Sequence, residues 1–180
     1  MTDQPDHKQP PRPKALVAER QGCEIKVELL YQVIGEVASL SVKNNEESPL
    51  RDEVTYNPNW DALLQYCFRG DCVLVTCRYD GTLVGYAVAL IGQFERSMGT
   101  LYAQIEAFYI LPAFRDFKTA KRLKDCIEKE LEDRVQFILI GSDPGGSIAT
   151  IFGRFGYKPV EVIMYKRLKD VGEEGSSGSA

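Results

Sequence analysis

The sequence of 180 residues contains one histidine, His7, which lies in a polar, proline-rich stretch at the N-terminus. Catalytic triads, cysteine–histidine pairs and HExxH zinc helices all require a histidine inside the folded domain. We therefore expect chemistry that does without imidazole, and no metal site.

The five cysteines, an odd number, form no CxxC motif and lie in apolar stretches. This pattern is typical of buried, reduced thiols that pack as small hydrophobic side chains. A cysteine nucleophile would also need a basic partner that the sequence does not visibly supply. The cysteines therefore indicate core packing and no cysteine-based hydrolase.

Long apolar runs and an excess of positive charge are also missing. No window approaches the ~18 to 20 apolar residues of a membrane span, and the N-terminus lacks the apolar centre of a signal peptide. The net charge of -4 opposes binding to nucleic acid or to anionic lipid. We expect a cytoplasmic protein that binds neither nucleic acid nor membranes.

The chain has enough apolar residues, 44% of the total, to close a core. The composition predicts a flexible arm over residues 1–20, one domain over residues 21–169, and a flexible tail over residues 170–180. No internal repeat or second linker divides the domain.

The spacing of apolar residues predicts ten elements in the order β-α-α-β-β-β-α-β-α-β. This order indicates an α/β fold in which a mixed, mostly antiparallel sheet carries helices on both faces. Asp80-Gly81 predicts a tight hairpin, and the aperiodic stretch 43–58 predicts a functional loop. The predicted strands are 23–30, 72–79, 83–91, 100–111, 135–140 and 160–168, and the helices are 31–42, 60–68, 119–134 and 148–155.

The helix predicted over 119–134 has its charges in the unfavourable order. Lysine and arginine residues crowd its start and acidic residues its end, whereas the helix dipole favours the reverse. An anion bound at the N-terminus would explain this order, with Arg115 just upstream as a phosphate ligand. A solvated charged face that tolerates a small cost is the alternative.

The long strand ending at Leu111, the segment Leu111-Pro112-Ala113-Phe114-Arg115-Asp116-Phe117-Lys118-Thr119-Ala120, the amphipathic helix after it, and the Phe155-Gly156-Tyr157 ending resemble the GCN5-related N-acetyltransferase (GNAT) superfamily. The resemblance extends over about residues 23–168. It implies transfer of an acyl group from acetyl-CoA to an amine, with the CoA pyrophosphate at the start of the helix.

The resemblance also implies a donor site. The family loop reads Arg/Gln-x-x-Gly-x-Gly/Ala, and Arg115 and Ala120 match its two ends, whereas Lys118 replaces the first glycine. Backbone groups of Phe108 and Ile110 match positions that pair with the pantetheine arm in the family. The predicted donor-binding residues are Phe108, Ile110, Arg115, Phe117, Lys118, Thr119 and Ala120.

Glu106, a carboxylate inside an apolar strand, is the candidate general base; burial would raise its pKa, and a solvent-facing strand residue is the alternative. The tyrosine that serves as the family's acid is replaced by Phe152. Tyr157 is therefore the candidate acid, and Tyr109, Ser147 or water are alternatives.

These features predict an N-acetyltransferase that uses acetyl-CoA and acts on an unidentified amine, either a small molecule or a protein. A catalytically inactive GNAT-fold module for binding or assembly is the alternative, and a homo-oligomer is compatible with either function. Acidic residues in the long loop could attract a cationic amine or could be a solvated loop; they are Glu46, Glu47, Asp52 and Glu53.

Overall fold

A computed structural model describes residues 22–142 and 146–166 of the chain. The predicted arm over 1–20 and tail over 170–180 lie outside the described residues. Within these two ranges, no helix combines the length and the apolar character that a membrane crossing requires.

A single five-stranded sheet organises the domain, and its strands follow one another in chain order. Neighbouring strands from β1 to β4 are antiparallel, whereas β5 is parallel to β4 and is reached by a helical crossover. The strands are β1 (Glu24–Val27), β2 (Cys72–Tyr79), β3 (Thr82–Gln93), β4 (Leu101–Ile110) and β5 (Phe137–Ile140). The mixed, mostly antiparallel sheet is confirmed.

Two glycines allow β2, β3 and β4 to approach one another. Asp80 and Gly81 both have positive φ, at 48° and 77°, and connect Tyr79 to its partner Thr82 in the predicted tight hairpin. A Cβ atom at Gly85 would lie 2.8 Å from the backbone oxygen of Tyr109, so a side chain there would push β4 away from β3.

Helices cover both faces of the sheet. The helices α1 (Leu30–Glu46) and α2 (Trp60–Arg69) bury one face around Leu74, Tyr86 and Val88. The helices α3 (Phe117–Leu131) and α4 (Ser147–Arg154) bury the other, where Leu123, Ile127 and Phe152 are nearly inaccessible to solvent. The apolar faces that the sequence predicts for the helices therefore pack into the two cores.

A buried ionic network joins β2 to α1. The Arg78 guanidinium donates to both carboxylate oxygens of Glu36 at 2.8 and 2.9 Å and to Glu28 at 2.8 Å, and only 9% of its side chain is exposed. It also donates to the Gly81 carbonyl oxygen. This network fixes α1 over the β2–β3 hairpin.

The predicted closing strand over 160–168 is wrong for the described residues 160–166, which have no regular secondary structure. Val160, Val162, Ile163 and Met164 are 69–89% exposed. Alternating apolar residues favour a strand only when a neighbouring strand supplies hydrogen bonds, and among the described residues β5 pairs only with β4.

Candidate active site

The candidate site lies where β4 and β5 separate. Their pairing runs from Tyr102–Phe137 to Ile105–Ile140 and then stops, although β4 continues to Ile110. The edge of β4 that faces β5 therefore has no strand partner over residues 106–110 among the described residues. This opening has the shape that an extended ligand arm requires to lie against a strand as an added neighbour.

Glu106 occupies a β-bulge at the start of this opening. In the pairing of β4 with β3, Val88 faces Ala107 and Ala89 faces Ile105, so Glu106 is the extra residue. Glu106 lies between Ile105, which packs toward α3 and α4, and Ala107, which packs toward α1 and α2, and its side chain is exposed, as in the alternative of a solvent-facing strand residue. Its carboxylate has no hydrogen-bond or ionic partner among the described residues, and partial desolvation raises its pKa. An unpaired carboxylate with a raised pKa can accept a proton near neutral pH.

The N-terminus of α3 lies at the far end of β4, beyond the short 3-10 turn Pro112–Phe114. Asp116 caps the helix: its carboxylate accepts the Thr119 N–H at 2.9 Å and the Thr119 hydroxyl at 2.7 Å. The Ala120 N–H bonds to the Asp116 backbone oxygen. Phe117 and Lys118 are the first two residues of α3, where backbone N–H groups have no partner within the helix and can bind an anion.

The predicted donor-binding side chains at this helix start have different surroundings. Lys118 is exposed, and the Phe117 ring, which is half exposed, packs against Phe155 at 5.3 Å between centroids. Lys118 therefore places an exposed positive charge at the start of α3, where the family has a glycine.

Arg115 is held by the chain itself. Its Nε donates to the Ile110 carbonyl oxygen at 2.6 Å, its Nη2 lies 2.7 and 2.8 Å from the two carboxylate oxygens of Glu47, and its guanidinium stacks over the Tyr109 ring at 5.1 Å. The Tyr109 hydroxyl also donates to Glu47 at 3.0 Å. The Ile110 carbonyl, predicted to contact the donor, is thus already bonded.

Aromatic residues of α4 and of the segment that follows it form a cluster on the other face of β4. Phe152 is 2% exposed and packs edge-on against Phe108 and Tyr157, with centroids 5.0 and 4.9 Å apart. The Tyr157 hydroxyl donates to Glu128 at 3.0 Å, and burial, followed by the Glu128 charge, raises its pKa far above the ordinary value. Tyr157 also lines a cavity of about 430 Å³ beside β5. The acid role of Tyr157 stays a prediction.

Sequence reasoning missed the cluster of Glu47, Tyr109 and Arg115. Glu47 lies 62 residues from Tyr109 and 68 from Arg115 in the chain, and no local pattern connects it to them. The sequence indicated the three residues separately, Arg115 as a phosphate ligand, Tyr109 as an alternative acid and Glu47 as an acidic residue of the long loop, but not their contact. The same loop pairs Asp52 with Arg51, so its negative charge is partly compensated within the chain.

The mixed sheet, the divergence of its parallel strands β4 and β5, and the helix that begins just beyond β4 match the fold that the resemblance implied. The sequence profile of the acetyltransferase (GNAT) family matches residues 38–157. The chain therefore belongs to the GNAT family and is an N-acetyltransferase with acetyl-CoA as its acyl donor.

Solved structures share the fold at low sequence identity. An aminoglycoside acetyltransferase from an uncultured soil metagenomic sample, in complex with sisomicin, aligns with a TM-score of 0.63 at 14% identity, over 82% of this chain and 97% of that one. The aminoglycoside N-acetyltransferase AAC(6')-Iy in complex with CoA gives 0.60 at 14%, over 82% and 100%. The ribosomal-protein-alanine N-acetyltransferase from Brucella melitensis biovar Abortus 2308 gives 0.58 at 16%, over 82% and 99%. No curated protein matches the chain.

Proposed function

We propose that the chain transfers the acetyl group of acetyl-CoA directly to an amine, with Glu106 as the general base. The observation that carries this proposal is the position of Glu106, unpaired and with a raised pKa, at the bulge where β4 leaves β5. When bound, acetyl-CoA supplies a thioester whose carbonyl carbon the amine attacks. The work left to the protein is to position both reactants and to accept the ammonium proton.

In this proposal, backbone and side chains at the end of β4 hold the donor. The N–H groups of Phe117 and Lys118 bind the pyrophosphate, the Lys118 side chain adds a positive charge, and Arg115 supplies a guanidinium. Thr119 and Ala120 complete the first turn of α3, which Asp116 caps. The unpaired edge of β4 around Phe108 and Ile110 receives the extended arm.

The candidate proton donors for the departing thiolate are Tyr157, Tyr109, Ser147 and water. The Tyr157 hydroxyl already donates to Glu128, and its raised pKa makes it a weaker acid. The Tyr157→Phe variant tests the first candidate: a lowered kcat supports Tyr157, whereas an unchanged kcat supports one of the other three. The acceptor is an amine, and the acceptors named for the structural relatives, aminoglycosides and ribosomal-protein alanine, are the first to assay.

The proposal is tested by measuring CoA thiol release against a panel that contains sisomicin and peptides with N-terminal alanine. Glu106→Gln should leave CoA binding unchanged and lower kcat by about a hundredfold or more, because a general base contributes roughly 10²- to 10⁴-fold. Deprotonation of Glu106 should also produce an acid limb in the pH profile, which should disappear in Glu106→Gln. Glu95→Gln, which removes an exposed loop carboxylate, is the matched control. Normal turnover in Glu106→Gln would refute the assignment.

A further inference from the structure

The donor-binding end of the site is occupied by two carboxylates of the chain itself. Asp116 takes the Thr119 amide and hydroxyl, and Glu47 takes the Arg115 guanidinium. Each carboxylate accepts hydrogen bonds from groups that would otherwise be available to an anionic ligand. The two differ in how firmly they are held.

Asp116 is a permanent part of the helix. It lies three residues before Thr119, adopts the extended backbone of an N-cap, and satisfies a group that every helix start leaves open. Removing it would uncap α3. It therefore cannot be exchanged for a ligand without damage to the fold.

The Glu47 carboxylate is held only by the side chains of Arg115 and Tyr109. It follows the last residue of α1, where the negative end of the helix dipole disfavours a carboxylate, and the side chains of Glu47 and Arg115 are both 42% exposed. Its bonds to Arg115 and to the Tyr109 hydroxyl compensate for that position. A ligand phosphate, with more charge and more acceptor oxygens, can take the guanidinium from it.

The released carboxylate would lie on the acceptor side of the site. Tyr109, which holds Glu47, packs with α1 and α2, and Ala107, the neighbour of Glu106 in β4, packs on the same face of the sheet. A carboxylate without its arginine on this face attracts a cationic amine.

We propose that Glu47 is an exchangeable counter-ion of Arg115 that couples the two substrates. Donor phosphate displaces Glu47 from Arg115, and the freed carboxylate then binds the ammonium group of the acceptor. Because coupling between two ligands is reciprocal, bound acceptor also strengthens donor binding. This inference rests on the proposed function, since it assigns a regulatory residue to the same site.

The test is calorimetric titration of the full chain and of Glu47→Gln with CoA and with pantetheine, which carries no phosphate. Loss of the competitor should tighten CoA binding by about two- to fivefold, the strength of an exposed ion pair, and leave pantetheine binding unchanged. Glu46→Gln removes the same charge one residue earlier and should change CoA affinity less. Tyr109→Phe removes one bond to Glu47 while keeping the ring over Arg115, and should tighten CoA binding in the same direction.

The kinetic test compares the directions of two changes, one in the acceptor KM and one in the affinity for CoA. Glu47→Gln should raise the acceptor KM while it tightens CoA binding, whereas a merely structural glutamate would weaken both. Wild-type binding of CoA without tightening in Glu47→Gln would overturn this inference alone. Absence of CoA binding and of thiol release by the wild type would overturn the proposed function and this inference together.

Discussion

The molecule contains two arginines that are each held by glutamate, and their surroundings differ. Arg78 is 9% exposed and bonds to Glu28 and Glu36 between β2 and α1, whereas Arg115 is 42% exposed and bonds to Glu47 at the edge of the active site. Of the two partners of Arg78, Glu28 is 16% exposed and Glu36 is 48% exposed, so the pair with Glu28 is the buried one. Opening a buried pair leaves a charge unpaired in a dry environment, but an exposed pair can exchange its partner at little cost. We therefore expect the Arg78–Glu28 pair to stabilise the fold and the Arg115–Glu47 pair to exchange its partner for a ligand.

The largest expected effect is on stability. Arg78→Ala should lower the free energy of unfolding by about 3–5 kcal/mol, because it leaves the largely buried Glu28 carboxylate without its arginine. Arg115→Ala should lower it by at most about 1 kcal/mol. Urea unfolding of both variants measures the difference, and equal losses would contradict the distinction between the two arginines.

The next largest effect is on ligand binding, where we expect Arg115→Ala to have the larger effect and Arg78→Ala the smaller one. Arg115→Ala should weaken CoA binding by about ten- to a hundredfold, because a hydrogen bond to a charged group contributes about 1.5–3 kcal/mol. Pantetheine affinity should not change. Lys129→Ala, near the opposite end of α3, is the control for net charge. If the Lys129 variant loses as much CoA affinity as the Arg115 variant, the arginine has no specific role.

The smallest effect is the pH dependence of the buried network. Partial loss of hydration opposes ionisation of Glu28, but hydrogen bonds from Arg78 and Thr76 hold its pKa below the ordinary value; the Arg78 hydrogen bond does the same for Glu36. A carboxylate whose pKa is lowered by folding stabilises the protein above its unfolded pKa, and this contribution is lost as the pH falls through the folded pKa. The stability difference between wild type and Arg78→Ala should therefore shrink below about pH 4.5. A difference that stays constant in acid unfolding experiments would show that the ion pairs do not cause it.

The sequence predicted those features that depend on neighbouring residues. Asp80-Gly81 located the hairpin, and the apolar stripe of the central helix located α3 to within three residues at either end. It did not predict the pairing of Arg115 with Glu47, because a side-chain contact across 68 residues depends on the whole fold. The strand expected from Val160 was wrong because alternation describes the faces of a strand and not the availability of a partner.

The candidate site was predictable to a similar degree. Glu106 was identifiable as a carboxylate in an apolar strand, but its bulge was not, because the bulge is defined by the register against β3. The reversed charges of α3 predict an anion at its start, and this site stays a prediction. The capping role of Asp116 needed the backbone geometry.

The bulge at Glu106 makes the candidate base an insertion in an otherwise regular strand. If this one residue were deleted, Ile105 would be followed directly by Ala107, and strict alternation would keep Ala107 and Tyr109 toward α1 and α2 and Phe108 toward α3. Every other side chain of β4 would retain its orientation. A one-residue gap in an alignment of β4 could thus separate a complete fold with a base from a complete fold without one.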